Sequence, residues 1–235
     1  MSRSEDDAGP APVLDEATRA AARDRLIELL LDYEVLRFGD FELKSGRRSP
    51  YFFNLGQIAD GEGLAALGAA YADAIVAADL LPDVLFGPAY KGIPLATAAA
   101  VALAQKYRFN VGVAFNRKEA KTHGEGGQLV GHPLTGRVLI VDDVMTAGTA
   151  VTEAVEIINA AASGSAQLVG VMVAMDRQEL LDNGQTALQQ VAAARRIPVR
   201  SILSLQDLID YLEHQPAHRE PLRQIRAYQQ AHCQI

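Results

Sequence analysis

The chain is 235 residues long, with 49% hydrophobic and 22% charged residues, proportions that suit one large globular domain and exclude collagen, coiled coil and wholesale disorder. Its 22 Lys and Arg against 29 Asp and Glu leave a net charge of −7, too acidic for a protein that coats nucleic acid by displacing counterions. A single cysteine, Cys233, argues against a disulfide framework or a Cys-rich metal site. No apolar run has the length of a membrane span, and residues 1–14 lack the basic start and apolar centre of a secretory signal. The expectation is a cytoplasmic protein with neither a membrane nor a nucleic acid as partner.

Residues 1–14 are small, acidic and proline-containing, and read as a disordered tail. From Asp15 to about Tyr33, Leu26, Ile27, Leu30 and Leu31 recur at helical spacing. Gly39-Asp40 and Ser45-Gly46 then punctuate a stretch of strand formers from Val35 to Phe53, which predicts a small antiparallel hairpin outside the main sheet. Residues 62–78 predict an Ala-rich helix, Val84–Phe86 a short strand ending in Gly87-Pro88, and residues 93–106 a second helix. Val111–Phe115 and Arg137–Val141 read as strands, the latter apolar throughout like a strand buried on both faces. A helix over 149–162 and a buried strand over Gln167–Ala174 continue the alternation, followed by a helix near 186–194, a strand over 198–203 and helices over 205–214 and 220–230. Strands alternating with helices predict an α/β fold built on a doubly wound parallel sheet. With no internal repeat or low-complexity linker, residues 15–235 are expected to form a single domain, its small hood drawn from elements near 15–55 and the C-terminal end.

The most informative stretch is Val138–Ala150, VLIVDDVMTAGTA. A buried strand runs into two acids, then a turn of small residues, then a helix. Gly148 and its neighbours let backbone amides turn inward around an anion, while the helix start and the Thr hydroxyls add donors. This is a phosphate cradle without the GK[ST] of a P-loop. Asp142 and Asp143 suit the diol of a ribose, provided the strand has begun to turn so that both face the ligand. A generic strand–turn–helix junction with solvated acids would also present a DD pair.

Four further segments carry polar groups. FELKSGRRSPYFFN (41–54) sets Lys44 beside Phe52-Phe53, which can hold a flat anionic ring by stacking and charge, or can be a strand with core phenylalanines and a surface lysine. FGPAYKGIP (86–94) is a second strand-to-helix turn, or a plain Pro–Gly turn with an exposed lysine. FNRKEAKTHGEGG (115–127) gathers Arg117, Lys118, Lys121 and His123 within seven residues of an acidic protein, on a long Gly-containing stretch between strands that reads as mobile and functional, or as a solvated charged loop. DRQE (176–179) ends a buried strand, and Arg177 there can fork onto a planar carboxylate or pair with Asp176 or Glu179 at the surface. His132, His214, His218 and His232 have no acidic or Cys neighbours at ligand spacing and read as surface residues, and Met172 and Met175 as core packing and its edge.

The thirteen-residue pattern resembles the phosphoribosyl diphosphate (PRPP) signature of type I phosphoribosyltransferases, and all five segments in this order resemble the orotate phosphoribosyltransferases, from about Leu31 to Tyr228. The resemblance implies a PRPP site made of Lys44, Tyr90, Lys91, Arg117, Lys118, Lys121, His123 and the run Asp142, Asp143, Val144, Met145, Thr146, Ala147, Gly148, Thr149 and Ala150. Orotate would meet Phe52, Phe53, Thr146 and Arg177. Lys118, Lys121, His123, Asp142 and Asp143 would act in catalysis. It further implies Mg²⁺ held mainly by PRPP and water, with no all-protein metal site, and a homodimer whose 115–127 lid reaches the neighbour's active site. The chain departs from the family pattern over 180–187, which supports nothing specific. A purine-salvage phosphoribosyltransferase would share the cradle but lack the FELKSG…YFFN segment. A non-enzymatic RNA-binding regulator on the same fold would want a basic face and have no use for the lid.

Overall fold

A computed structural model of the chain describes residues 16–43, 45–121, 127–145, 149–161 and 165–234; the 1–14 tail lies outside them. In chain order the elements are α1 (Glu16–Asp32), β1 (Leu36–Glu42), β2 (Arg48–Phe53), α2 (Gly61–Ala77), β3 (Val84–Gly87), α3 (Gly92–Tyr107), β4 (Gly112–Lys121), β5 (Gly127–Gly131), β6 (Gly136–Val144), α4 (Thr149–Ala161), β7 (Ala166–Asp176), α5 (Ala187–Arg195), β8 (Val199–Ser204), α6 (Leu205–Glu213) and α7 (Arg219–His232). Among the described residues one sheet has the order β5-β4-β3-β6-β7-β8, and β1-β2 form a separate antiparallel hairpin.

Side-chain alternation along the central strands explains why helices cover both faces. On β6, Leu139 and Val141 join the core beneath α2 and α3, whereas Val138 and Ile140 join the core beneath α4 and α5. β7 divides the same way, with Met172 and Ala174 on the first face and Val171 and Val173 on the second. The sheet is parallel from β4 to β8, while β5 pairs antiparallel with β4 along one edge. Neither β5 nor the extension of β4 past Phe115 was expected. The stretch anticipated as a long loop between two strands consists, among its described residues, of the two arms of a β-hairpin. Its Gly, Lys and Glu content hid the strand signal, because an edge strand can carry charges that a central strand cannot.

Helix ends follow local hydrogen bonding. The Asp60 side chain accepts from Gly63 N–H at 2.9 Å and starts α2. Reciprocal capping boxes, Thr186 with Gln189 and Ser204 with Asp207, start α5 and α6. The β1–β2 hairpin, α1, α6 and α7 pack together as the hood, over the core that contains Leu139 and Val141. No helix among the described residues is long and apolar enough to cross a membrane.

One buried contact ties this core to the end of β6. The Tyr71 side chain, fully buried on α2, donates its hydroxyl to the Asp142 carbonyl oxygen at 2.7 Å. Tyr71→Phe leaves that acceptor buried without its partner, a loss of about 1–3 kcal/mol. A fall in Tm of roughly 2–12 °C is expected by calorimetry for a chain of this size. An unchanged Tm would show that the bond contributes nothing net.

Candidate active site

Because β3, β6 and β7 run parallel, their carboxyl ends line one edge, where open α/β sheets bind ligands. β3 leads there into the turn before α3, β6 ends at Val144 just past the acid pair, and β7 ends one residue before Arg177. Three separated stretches of sequence thus deliver polar side chains to one place.

Asp142 and Asp143 are consecutive on β6, yet each is only 8% exposed. The Asp142 side chain curls back along the strand, where its Oδ1 accepts from Asp143 N–H at 2.9 Å. Lys91 Nζ lies 2.5 Å from Asp143 Oδ2 and 3.5 Å from Asn54 Oδ1. Burial, then the neighbouring Asp143 carboxylate, push the Asp142 carboxyl up to about 6, against the Asp143 hydrogen bond and the Lys91 charge.

The turn after β3 packs backbone on backbone. A Cβ on Gly87 would sit 2.2 Å from the Gly92 carbonyl oxygen, so only glycine fits there. The Ala89–Tyr90 peptide is cis, and Ala89 N–H donates to Asn116 Oδ1 of β4 at 2.9 Å. Tyr90 is 67% exposed, and Lys118 Nζ lies 5.0 Å from its ring centroid. Pro88, Ala89, Asn116, Lys118 and Ala150 also line an open cleft of about 640 Å³ that runs along α4. Arg117 is half-buried on β4.

On the other side of the acid pair, Arg177 is not the surface residue that a simple ion pair would suggest. Its side chain is 10% exposed, with Nε donating to Glu179 Oε1 at 2.7 Å and Nη2 to Ser49 Oγ at 3.0 Å. Its Cζ lies 4.1 Å from the centroid of the Tyr51 ring. Nη1 makes no hydrogen bond among the described residues. The guanidinium is therefore held on one edge and open on another.

The structure does not bring Phe52 and Phe53 together as a pair. Successive residues of β2 point to opposite faces, so Phe53 is buried in the hood core while Phe52 stacks with Phe41 at 5.4 Å and under Arg37 at 5.3 Å. Met145 likewise sends its side chain into the core with Val151 and Val155, leaving only its backbone toward the edge, and Val144 is half-buried. Lys44, His123, Thr146, Ala147 and Gly148 lie outside the described residues, as do the side chains of Lys121 and Thr149. His132 and His214 are exposed as expected, but His218 and His232 are half-buried and pack on Phe38 and Tyr228. Sequence reasoning missed Ser49, Asn54, Tyr71 and Tyr228. Ser49 and Asn54 stand inside a quoted segment and could have been found there; nothing in sequence spacing marks Tyr71 or Tyr228.

Residues 54–193 match the phosphoribosyl transferase domain family. The orotate phosphoribosyltransferase of Serratia proteamaculans is 53% identical over 210 residues, covering 89% of this chain and 97% of that relative. That of Nitrosococcus oceani is 54% identical over 207 residues, covering 88% of this chain and 93% of the relative. The chain belongs to the orotate phosphoribosyltransferases. Its fold is similar to the crystal structure of the Francisella tularensis enzyme, with a TM-score of 0.79 and 38% identity over 89% of this chain and 100% of that one. It is also similar to a Mycobacterium tuberculosis orotate phosphoribosyltransferase solved in complex with PRPP, with a TM-score of 0.59 and 25% identity over 80% of this chain and 98% of that one.

The raised Asp142 pKa has a measurable consequence. In the fold this carboxyl holds its proton more tightly than the ordinary value of 3.8, so the stability it contributes is complete at low pH and is lost as pH rises through about 6. Asp142→Asn, which cannot ionise, is expected to stabilise the ligand-free protein by up to about 3 kcal/mol at neutral pH and above, with the gap closing toward acid. Paired Tm measurements across that range test it. A variant less stable than wild type at neutral pH would show that the ionised acid is not a strained group.

Proposed function

We propose that this chain transfers the phosphoribosyl group of PRPP to N1 of orotate, giving orotidine 5′-monophosphate and diphosphate in pyrimidine synthesis. The observation that carries the reading is the joint placement of an open-edged Arg177 and the Asp142–Asp143 pair with Lys91 on one sheet edge. The arginine fits a planar carboxylate and its adjacent carbonyl. The acids fit ribose hydroxyls, and the cations beside the Gly87–Lys91 turn fit a diphosphate. A purine has no carboxylate to use the arginine.

In the reaction the bond from the ribose C1 to the diphosphate breaks as orotate N1 bonds to C1, the N1 proton passing to the departing diphosphate or to water, and the C1 centre takes on oxocarbenium character. The nucleophile belongs to the substrate, so the chain needs none. Its own residues hold the two reactants in line and offset charge. Asp142 and Asp143 anchor the ribose and favour positive charge on the ring, while Tyr90, Lys91, Arg117 and Lys118, with Lys121 and His123, meet the departing diphosphate. The run from Asp142 to Ala150 would serve as the phosphate cradle for PRPP, and Thr146 would also touch orotate. By the family resemblance, Lys44 would serve the boundary between PRPP and orotate, and the Phe52-Phe53 segment would lie against the orotate ring.

Mg²⁺ fits this site as a companion of PRPP. Among the described residues no group of three His, Cys, Asp or Glu could cage a metal, and Asp143 is already paired with Lys91. A hard cation that retains its waters would take its oxygen ligands mainly from the substrate and screen the diphosphate charge when bound. The test of the whole reading is an absorbance assay with orotate, PRPP and Mg²⁺, run beside hypoxanthine, adenine and uracil. Orotate alone should turn over, and Arg177→Ala should weaken orotate far more than PRPP. Turnover of a purine in place of orotate would end the proposal.

The working unit in this reading is a homodimer in which the 115–127 lid of one chain closes over its partner's site. Lys121→Ala and Arg177→Ala then damage different halves of each site. After subunit exchange, half the dimers are hybrids with one intact site, and activity should return to roughly a quarter of wild type. A lid acting within its own chain gives no recovery.

A further inference from the structure

An arginine side chain has a flexible stem, and a forked contact to a carboxylate forms only when the guanidinium plane is held in the right orientation. At Arg177 that hold comes from residues with no place in the reaction. Glu179 Oε1 accepts from Arg177 Nε at 2.7 Å and from the Tyr228 hydroxyl at 2.7 Å, while Glu179 Oε2 lies 3.8 Å from Arg47 Nη1. Burial, with the carboxylate it donates to, pushes the Tyr228 hydroxyl up to about 12, so it remains a donor across the working range. Beneath the guanidinium lies the fully buried Tyr51 ring, and Tyr228 meets that ring edge-on at 6.3 Å.

The backbone around the arginine is fixed from the same side. Glu179 and Cys233 form an antiparallel bridge, Leu180 N–H donates to the His232 carbonyl at 2.9 Å, and Gln234 N–H donates to the Gln178 carbonyl at 2.8 Å. The Cys233 thiol reaches the Arg177 carbonyl oxygen at 3.6 Å. The arginine's chain neighbours are thus pinned by the end of α7 and the residues after it, and its side chain by a residue on α7.

We propose that Glu179 and Tyr228 are positioning residues of the base site: they lock the Arg177 guanidinium so that its open Nη1 edge faces the carboxylate of the base, and so make affinity for orotate depend on α7. The inference rests on the assignment of Arg177 to orotate. It separates positioning from general support of the fold. A structural role would weaken both substrates together, whereas a positioning role acts on orotate and acts through Arg177.

The test compares orotate and PRPP affinities, by steady-state KM and by calorimetric titration, in Glu179→Gln, Tyr228→Phe, Arg177→Ala and the two double variants with Arg177→Ala. Each of the first two is expected to weaken orotate about tenfold and PRPP less than about twofold, as for loss of a charge-assisted bond that orients a ligand contact. In the Arg177→Ala background either change should add less than about twofold, because the group it positions is gone. Orotate affinity unchanged in both single variants, equal loss for PRPP, or full additivity in the double variants would overturn the inference while leaving Arg177 as the base contact. Arg177→Ala that binds orotate normally would overturn both this inference and the assignment beneath it.

Discussion

Asp142 and Asp143 stand side by side where β6 leaves the sheet, with nearly all their surface removed from water. Two like charges in such a place cannot both ionise cheaply, and much of the surrounding architecture answers that constraint. Lys91 must arrive from the next strand, so the turn after β3 is drawn tight enough to exclude any side chain at Gly87. Asn54, from the hood, meets the same lysine, and Tyr71 holds the backbone of β6 from below. The acid pair thereby connects the hood, two strands and α2.

The edge divides by charge as well as by position. Around Arg177, the Glu179 carboxylate bonds one guanidinium and stands 3.8 Å from a second, that of Arg47, in a largely buried setting. Across the acid pair, Lys118 and the exposed Tyr90 stand at an open mouth bordered by α4. The first half is rigid, being built from interlocked buried groups. The second is open, with its cations on strand arms and turns. A planar anion would be recognised by the rigid half, and a large hydrated one admitted by the open half.

The alternation of buried strands and helices was legible because β6 and β7 carry apolar residues on both faces, a pattern that only a covered sheet can use. The acids, the turn after β3 and Arg177 were legible because each follows such a strand directly. What escaped was set by relations the sequence does not display. β5 and the end of β4 past Phe115 pair only with each other at the edge of the sheet, where charged residues suit solvent, so neither read as a strand. Phe52 and Phe53 are neighbours in sequence and opposites in space, since a strand turns each residue by half a revolution. Tyr228 comes to Glu179 across forty-nine positions, a contact that no local pattern encodes.

That long-range contact also joins segments made far apart during synthesis. Gly87 to Val144 contain the turn, the acid pair and their lysine, and are synthesised well before the residues that brace Arg177. Residues 228–234 are the last-made of the described elements that touch it. During synthesis the acid pair and its lysine emerge while Arg177 still lacks its contacts with Tyr228 and Cys233. A chain interrupted after α6 would carry the acids, the turn after β3 and an Arg177 still bonded to Glu179 and Ser49, but would lack the Tyr228 hydroxyl that shares Glu179.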